Sequence, residues 1–149
     1  MLCIQIHPKK DNIIRIFLVI QEVSNLKLDI KQINNLCTGV KLATELKSIN
    51  FNLRKFLTIQ GYSYGVNGEI VELKKVLNNN TLNNIYFELR CYEISVDYYI
   101  NHWDVTEDGL SSQIYKDDIK GIDALELELK HYIDDFSVLK PEWYCDNLL

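Results

Sequence analysis

The residues that could do chemistry in this chain are few, and their spacing does not gather them. The three histidines are His7, His102 and His131, none of them two residues from another or flanked by a ligand-patterned cysteine. Zinc and similar sites draw on short, recognisable ligand spacings, so neither a metal nor a cofactor is expected. Cys3, Cys37, Cys91 and Cys145 are spread along the whole length with no CxxC pair. Reduced and mostly buried thiols follow from that, with Cys145 in a short, exposed tail. His102-Trp103-Asp104 lies on an expected strand, where His102 and Asp104 would share a face. Such a pair could serve as an acid/base couple, but a solvated polar pair is the expected reading.

Gly61 to Gly68 has glycines ahead of an expected helix, the setting in which backbone N–H groups approach a phosphate. There is no Gly-Lys-Ser/Thr, however, and Ser63 stands where a dinucleotide fingerprint needs its second glycine. A plain loop is expected. The carboxylate pairs Asp117-Asp118 and Asp134-Asp135 are sequence neighbours, which point apart on a strand or a helix and make no dyad by adjacency. With no nucleophile elbow and no signature around any cysteine, the chain reads as a binding protein and not as an enzyme.

Charge carries the remaining signal. Residues 1–92 hold 12 Lys plus Arg against 7 Asp plus Glu, a net of +5, and residues 93–149 hold 4 against 14, a net of -10. Tyr98, Tyr99, Trp103, Tyr115, Tyr132, Trp143 and Tyr144 fall in that acidic third. Tyr and Trp supply interface hot spots, and a concentrated acidic field speeds encounter with a basic partner. The same pattern also fits a solvated acidic face with its aromatics in the core. The expected partner-binding set is Tyr98, Tyr99, Trp103, Asp104, Glu107, Asp108, Asp117, Asp118, Asp134 and Asp135. Basic pairs at Lys9-Lys10, Arg54-Lys55 and Lys74-Lys75 are far apart, and the pI is about 5.2, so direct nucleic-acid binding is not expected.

The elements that must position these residues are read from periodicity. At 149 residues and 17.5 kDa, with no linker and its two prolines near the ends, the chain is expected to form one domain. Ile13 to Ile20 is too short to span a membrane, and Met1 to His7 is too short for a signal-peptide core, so a cytoplasmic protein is expected. Leu2 to His7 and Ile13 to Val23 read as an opening hairpin. Asp29 is placed to cap a helix through Ile30, Ile33, Cys37 and Val40, weakened at Gly39 and continuing less clearly through Leu42, Leu46 and Ile49. Phe51 to Gln60 reads as a strand, Ile70 to Leu77 as a short helix, and Ile85 to Cys91 as a strand with Ile85, Phe87 and Leu89 inward. A strand from Tyr98 to Val105 should turn at Glu107-Asp108-Gly109 into another around Gln113 to Tyr115. The final helix should start at Asp123, with Glu126 closing a capping box and Ile122 stapled to Leu127, and reach about Phe136 on a stripe of Leu125, Leu129, Tyr132 or Ile133. Strands and helices without regular alternation predict an α+β fold with a mainly antiparallel sheet.

The acidic residues Asp104, Glu107, Asp108, Asp117, Asp118, Asp134 and Asp135, together with Tyr98, Tyr99, Trp103 and Trp143 on a small motif-poor domain, give the chain a resemblance to the immunity proteins of bacterial toxin systems. Those of contact-dependent growth inhibition are nearest in kind. It is a likeness of class and carries no family residue to any position here. The resemblance implies a protein that docks on a basic toxin domain, often a nuclease, and covers its active site or substrate groove without any cofactor. A phage inhibitor of a host nucleic-acid-binding defence protein would show the same acidity. A small enzyme with a site assembled from remote residues is the alternative of another class, and it predicts a deep pocket with perturbed titrating groups in place of a flatter acidic patch.

Overall fold

Alternation of apolar and polar side chains along the longer strands builds the described residues around one antiparallel sheet. The structure, a computed structural model, describes residues 26–73 and 84–149. The elements, in chain order, are α1 (Ile30–Cys37), β1 (Leu42–Leu46), β2 (Leu53–Tyr64), β3 (Ile70–Glu72), β4 (Tyr86–Ser95), α2 (Val96–Ile100), β5 (Leu110–Lys120), α3 (Ile122–Leu129) and β6 (Lys140–Pro141). The strands form a six-stranded antiparallel sheet in the order β5-β4-β2-β1-β6, with β3 also paired to β2. The expected α+β class is what the chain adopts. The expected opening hairpin, Leu2 to His7 and Ile13 to Val23, lies outside the described residues.

The sheet separates two apolar layers, because side chains along a strand alternate between its faces. On the inner face Leu57 and Ile59 of β2 and Phe87, Leu89 and Cys91 of β4 pack under Leu36 and Cys37 of α1 and Leu125 and Leu129 of α3, joined by Ile133, Phe136 and Leu139. On the outer face Phe56, Tyr92 and Ile94 form a second, smaller cluster, covered by Tyr98, Tyr99 and Val105 and by Cys145, Leu148 and Leu149 of the C-terminal segment. Strand β4 was expected to bury one side, and its Ile85, Phe87, Leu89 side is indeed fully inward. Near its end, however, Cys91, Tyr92 and Ile94 are all buried, because both faces are covered there.

Several expected elements are corrected, each by a local cause. Helix α1 starts as expected, with Asp29 and Gln32 forming a reciprocal capping box, but Gly39 ends it instead of weakening it. At φ +83° Gly39 takes the left-handed cap, with Gly39 N donating to Leu36 O at 3.2 Å and Val40 N to Asn35 O at 2.8 Å. The segment through Leu42 and Leu46 then emerges as β1, its pairing with β2 overriding the helical preference of Leu-Ala-Thr-Glu-Leu, and Ile49 lies in the loop beyond. Gly61 to Tyr64 continue β2 and are not loop. Gly61 is there for a close approach: a Cβ at this position would lie 2.7 Å from Leu36 O, so its absence lets the end of α1 settle on the sheet. The turn comes later, over Gly65 to Gly68. The expected helix from Ile70 begins instead as strand β3, and residues 74–77 are outside the described range.

The expected strand from Tyr98 to Val105 is also corrected. Ser95 caps the short helix α2, whose end is closed by His102 at φ +53°, with His102 N donating to Tyr99 O and Trp103 N to Tyr98 O. His102 and Asp104 are thus not neighbours on a strand face. The chain turns as expected at Glu107–Gly109, in a 3-10 turn, and β5 is longer than expected. Helix α3 begins after Gly121, at φ +83°, and Asp123 sits inside its first turn, where a carboxylate faces the positive helix end. Glu126 does not close a capping box. It is buried and turns across the molecule, accepting from Leu28 N at 2.9 Å and pairing with Lys27 at 2.9 Å. Leu127 is exposed, so there is no staple. The helix ends at Leu129, and its apolar stripe continues through a turn to Ile133 and a 3-10 turn at Phe136–Val138 capped by Asp135.

Candidate functional site

Because β-strand side chains alternate, the outer face of the sheet can be read row by row from the pairing register. One half, around Phe56 and Tyr92, is covered. In the other half Tyr62 stands opposite Tyr86 and Gln60 opposite Glu88, while Arg90 stands opposite Tyr115 of β5. Leu89 pairs with Lys116 and Phe87 with Ile119, so Asp117 and Asp118 together oppose Glu88 in a bulge.

That bulge organises the open half. Asp118 is held at φ +53°, a conformation uncommon for a residue with a side chain. Its carboxylate accepts from the hydroxyls of both Tyr62, at 2.9 Å, and Tyr64, and its own N–H donates to the Tyr62 hydroxyl at 2.9 Å. The hydrogen bonds from Tyr64 and Tyr62 hold the Asp118 carboxyl below the usual carboxylate range, while burial pushes the Tyr62 hydroxyl up. The rings of Tyr62, Tyr64 and Tyr86 form a three-way cluster with centroids 4.9 to 6.0 Å apart. Beside it, Tyr115 donates to Glu88 at 2.9 Å and is pushed up to about 12, first by burial and then by that hydrogen bond. These groups surround a cavity of about 210 Å³, lined among the described residues by Gln60, Gly61, Tyr62, Tyr64, Ile70, Glu72, Glu88, Tyr115 and Asp117.

The expected partner-binding residues divide into three groups. Tyr98, Tyr99, Trp103, Asp104, Glu107 and Asp108 lie on α2 and the connection to β5, at the border between the covered and open halves. Within this group, Trp103 is 56% exposed and Asp104 and Asp108 are exposed, whereas Glu107 pairs with Arg90 at 3.0 Å. Tyr99 is part of the covering layer: Arg54 lies 4.2 Å from its ring centroid, and its hydroxyl donates to Asp146 O at 2.9 Å. Arg54 also pairs with Glu45 at 2.7 Å and Asp146 at 2.8 Å, clamping the C-terminal segment over the sheet. Asp117 and Asp118 belong to the bulge. Asp134 and Asp135 follow α3, on the inner side of the sheet, and do not join the others.

Tyr62, Tyr64, Tyr86, Gln60 and Glu88 were missed from the sequence. Their signal was present as two i, i+2 pairs, Tyr62 with Tyr64 and Tyr86 with Glu88, and reading Gly61 to Gly68 as a loop concealed it. A larger cleft of about 520 Å³ lies elsewhere, between α1 and the C-terminal segment, lined by residues including Lys31, Lys140, Trp143 and Tyr144. Cys37 and Cys91 are buried free thiols and Cys145 is half-buried, not exposed. Among the described residues no group of three or more His, Cys, Asp or Glu is placed to hold a metal ion, and no helix is long and apolar enough to cross a membrane. No protein-family profile matches the chain, and neither do any curated protein or solved structure.

Proposed function

We propose that this chain is a protein-binding inhibitor of the immunity type, which neutralises a basic toxin domain through the open half of its outer sheet face and the adjoining α2 border. The observation that carries this is the concentration of carboxylates with tyrosines on one surface. Glu88, Asp117 and Asp118 lie among Tyr62, Tyr64, Tyr86 and Tyr115, with Asp104, Asp108 and Trp103 at the border. A basic nuclease must attract phosphates, and an acidic surface with amphipathic aromatic anchors exploits the same field.

Among the described residues, every group whose titration is clearly displaced is displaced away from neutrality. Here burial pushes Tyr62, Tyr92, Tyr99, Tyr115, Cys37, Cys91 and Cys145 up, while hydrogen bonds pull Glu45, Asp118 and Asp135 down. Each group is driven deeper into its resting form.

The test takes the C-terminal domain of the protein encoded immediately upstream as partner and follows association by stopped-flow. Association should slow as salt rises, since the screening length falls from about 10 Å at 0.1 M to 3 Å at 1 M. Combined Asp104→Asn, Glu107→Gln and Asp108→Asn should slow it several-fold with dissociation little changed. Absence of binding, or binding indifferent to both salt and these substitutions, overturns the proposal.

A further inference from the structure

We infer that the cavity on the open half of the outer face receives one arginine side chain of the basic partner, an inference that rests on the binding function proposed above. At about 210 Å³ the cavity is smaller than the roughly 300–1,000 Å³ typical of small-molecule sites, and it suits a side chain better than a substrate. Its walls combine two things a guanidinium uses at once. Tyr62, Tyr64 and Tyr115 line it with aromatic rings, which attract a cation, and Glu88 and Asp117 line it with carboxylates, which accept forked hydrogen bonds.

Among the described residues, Glu88 and Asp117 form no ion pair. Arg90, opposite Tyr115 in the sheet, is committed to Glu107 at 3.0 Å and lies 5.3 Å from the Tyr115 ring centroid, and Lys120 lies over Tyr86 at 5.8 Å. Rings on this face therefore already take cations from the chain itself. Among the described residues, the exposed Asp117 has no ion-pair partner and the Glu88 side chain accepts from the Tyr115 hydroxyl at 2.9 Å.

The walls are also fixed in advance. Both Tyr62 and Tyr64 donate to Asp118, which adopts the left-handed conformation that places it there. A backbone held in a sparsely populated region needs support from its surroundings, and here its product is two tyrosine rings immobilised before any partner arrives. Preorganised rings reduce the ordering cost of binding. The planar, weakly hydrated guanidinium can lie against a ring and fork to carboxylates, which a lysine ammonium cannot do, so the occupant is arginine.

The experiment titrates the isotopically labelled whole chain with Nα-acetyl-L-arginine amide and reads backbone amide shifts. Saturable shifts are expected at Gln60, Tyr64, Glu88 and Asp117, with an affinity of about 1–10 mM, as befits one side chain. Nα-acetyl-citrulline amide, neutral and nearly isosteric, should bind at least fivefold more weakly, and Glu88→Gln with Asp117→Asn should weaken the arginine amide by a similar factor. Amide shifts elsewhere report that the variant remains folded, and Tyr64→Leu gives a second variant of the same site. No saturable shifts, or equal binding of the citrulline compound, overturns the inference. Free L-arginine binding tenfold tighter than the blocked compound also overturns it, because the site would then take the amino acid and not a partner's side chain. Asp104→Asn with Asp108→Asn, which keeps the Arg90–Glu107 pair, should leave this titration unchanged, so failure of the cavity and failure of the wider acidic surface give different results. If the upstream partner binds and the Glu88→Gln, Asp117→Asn variant holds it as tightly as the unaltered chain, the partner's arginine is not the occupant.

Discussion

The two halves of the outer face are built from the same strands, β2, β4 and β5, yet one is closed and the other open. In the closed half the inward row is Phe56, Tyr92 and Ile94, and α2 and the C-terminal segment lie over it, held by the Arg54 clamp to Glu45 and Asp146. In the open half the same rows carry Gln60, Tyr62, Tyr86, Glu88 and Tyr115, whose polar ends can meet water, with Tyr62 donating to Asp118 and Tyr115 to Glu88. Where the row is large and mainly apolar the chain brings a lid to bury it, and where the row is amphipathic it can face a partner. The position of the covering segment is thus set by a few residues within three strands.

That contrast is broken most directly by truncating one side chain in each half. Phe56 is fully buried, so Phe56→Ala should cost about 3–5 kcal/mol in denaturant unfolding. Gln60→Ala, two rows away on the same face and strand, should fall within about 0.5 kcal/mol. Similar losses at both positions would mean that the open half is covered as well. The inner face gives a further comparison through Glu126, which ties α3 to the segment before α1. Removing it as Glu126→Ala leaves the Leu28 N–H without its acceptor and should cost about 1–3 kcal/mol.

Acid should affect both halves, because each uses a carboxylate held below its usual range. The hydrogen bond from Arg54 lowers Glu45 in the closed half, and those from Tyr64 and Tyr62 lower Asp118 in the open half. With the folded pKa depressed, the unfolded chain binds more protons in acid. The stabilisation is therefore fully present above the unfolded carboxylate values of about 4 and is lost as pH falls through the folded ones. The unfolding midpoint should be flat from neutral pH to about pH 5 and fall below it. Asp118→Asn should flatten that acid limb. An acid limb unchanged in this variant would show that the tyrosines do not hold the carboxylate in solution.

Much of this was legible in the sequence where period and boundary residues agreed. Asp29 with Gln32 marked the start of α1, the alternation from Ile85 to Cys91 marked β4, and Glu107 to Gly109 marked the entry to β5. The sequence misled where a tertiary contact set the local structure. Gly61 looked like a loop residue, because only the approach of Leu36 explains a glycine inside β2. Tyr98 and Tyr99 looked like a strand, because the cover that α2 provides for Phe56 and Tyr92 is visible only in three dimensions. The acidic third was legible as charge, but most of the cavity's lining comes from β2, β3 and β4 in the basic part of the chain, and Asp134 and Asp135 sit across the sheet from it. Composition locates a field, and pairing register decides which residues share it.

The smallest expected effect tests how well the closed half is sealed. Tyr92 is 1% exposed, its ring packs against Phe56 with centroids 5.8 Å apart, and its hydroxyl has no hydrogen-bond partner among the described residues. A buried hydroxyl without a partner has lost its hydration and gained nothing in exchange, and burial accordingly pushes it up towards the neutral form. Tyr92→Phe keeps the ring and removes only that oxygen. Stability should stay the same or rise by up to about 1 kcal/mol, measured by the denaturant midpoint at constant m-value. A loss above about 0.5 kcal/mol would show that the hydroxyl is bonded in solution, to water or to a shifted C-terminal segment. The lid over Phe56 would then be looser than Cys145, Leu148 and Leu149 make it, and the boundary between the closed and open halves less sharply drawn.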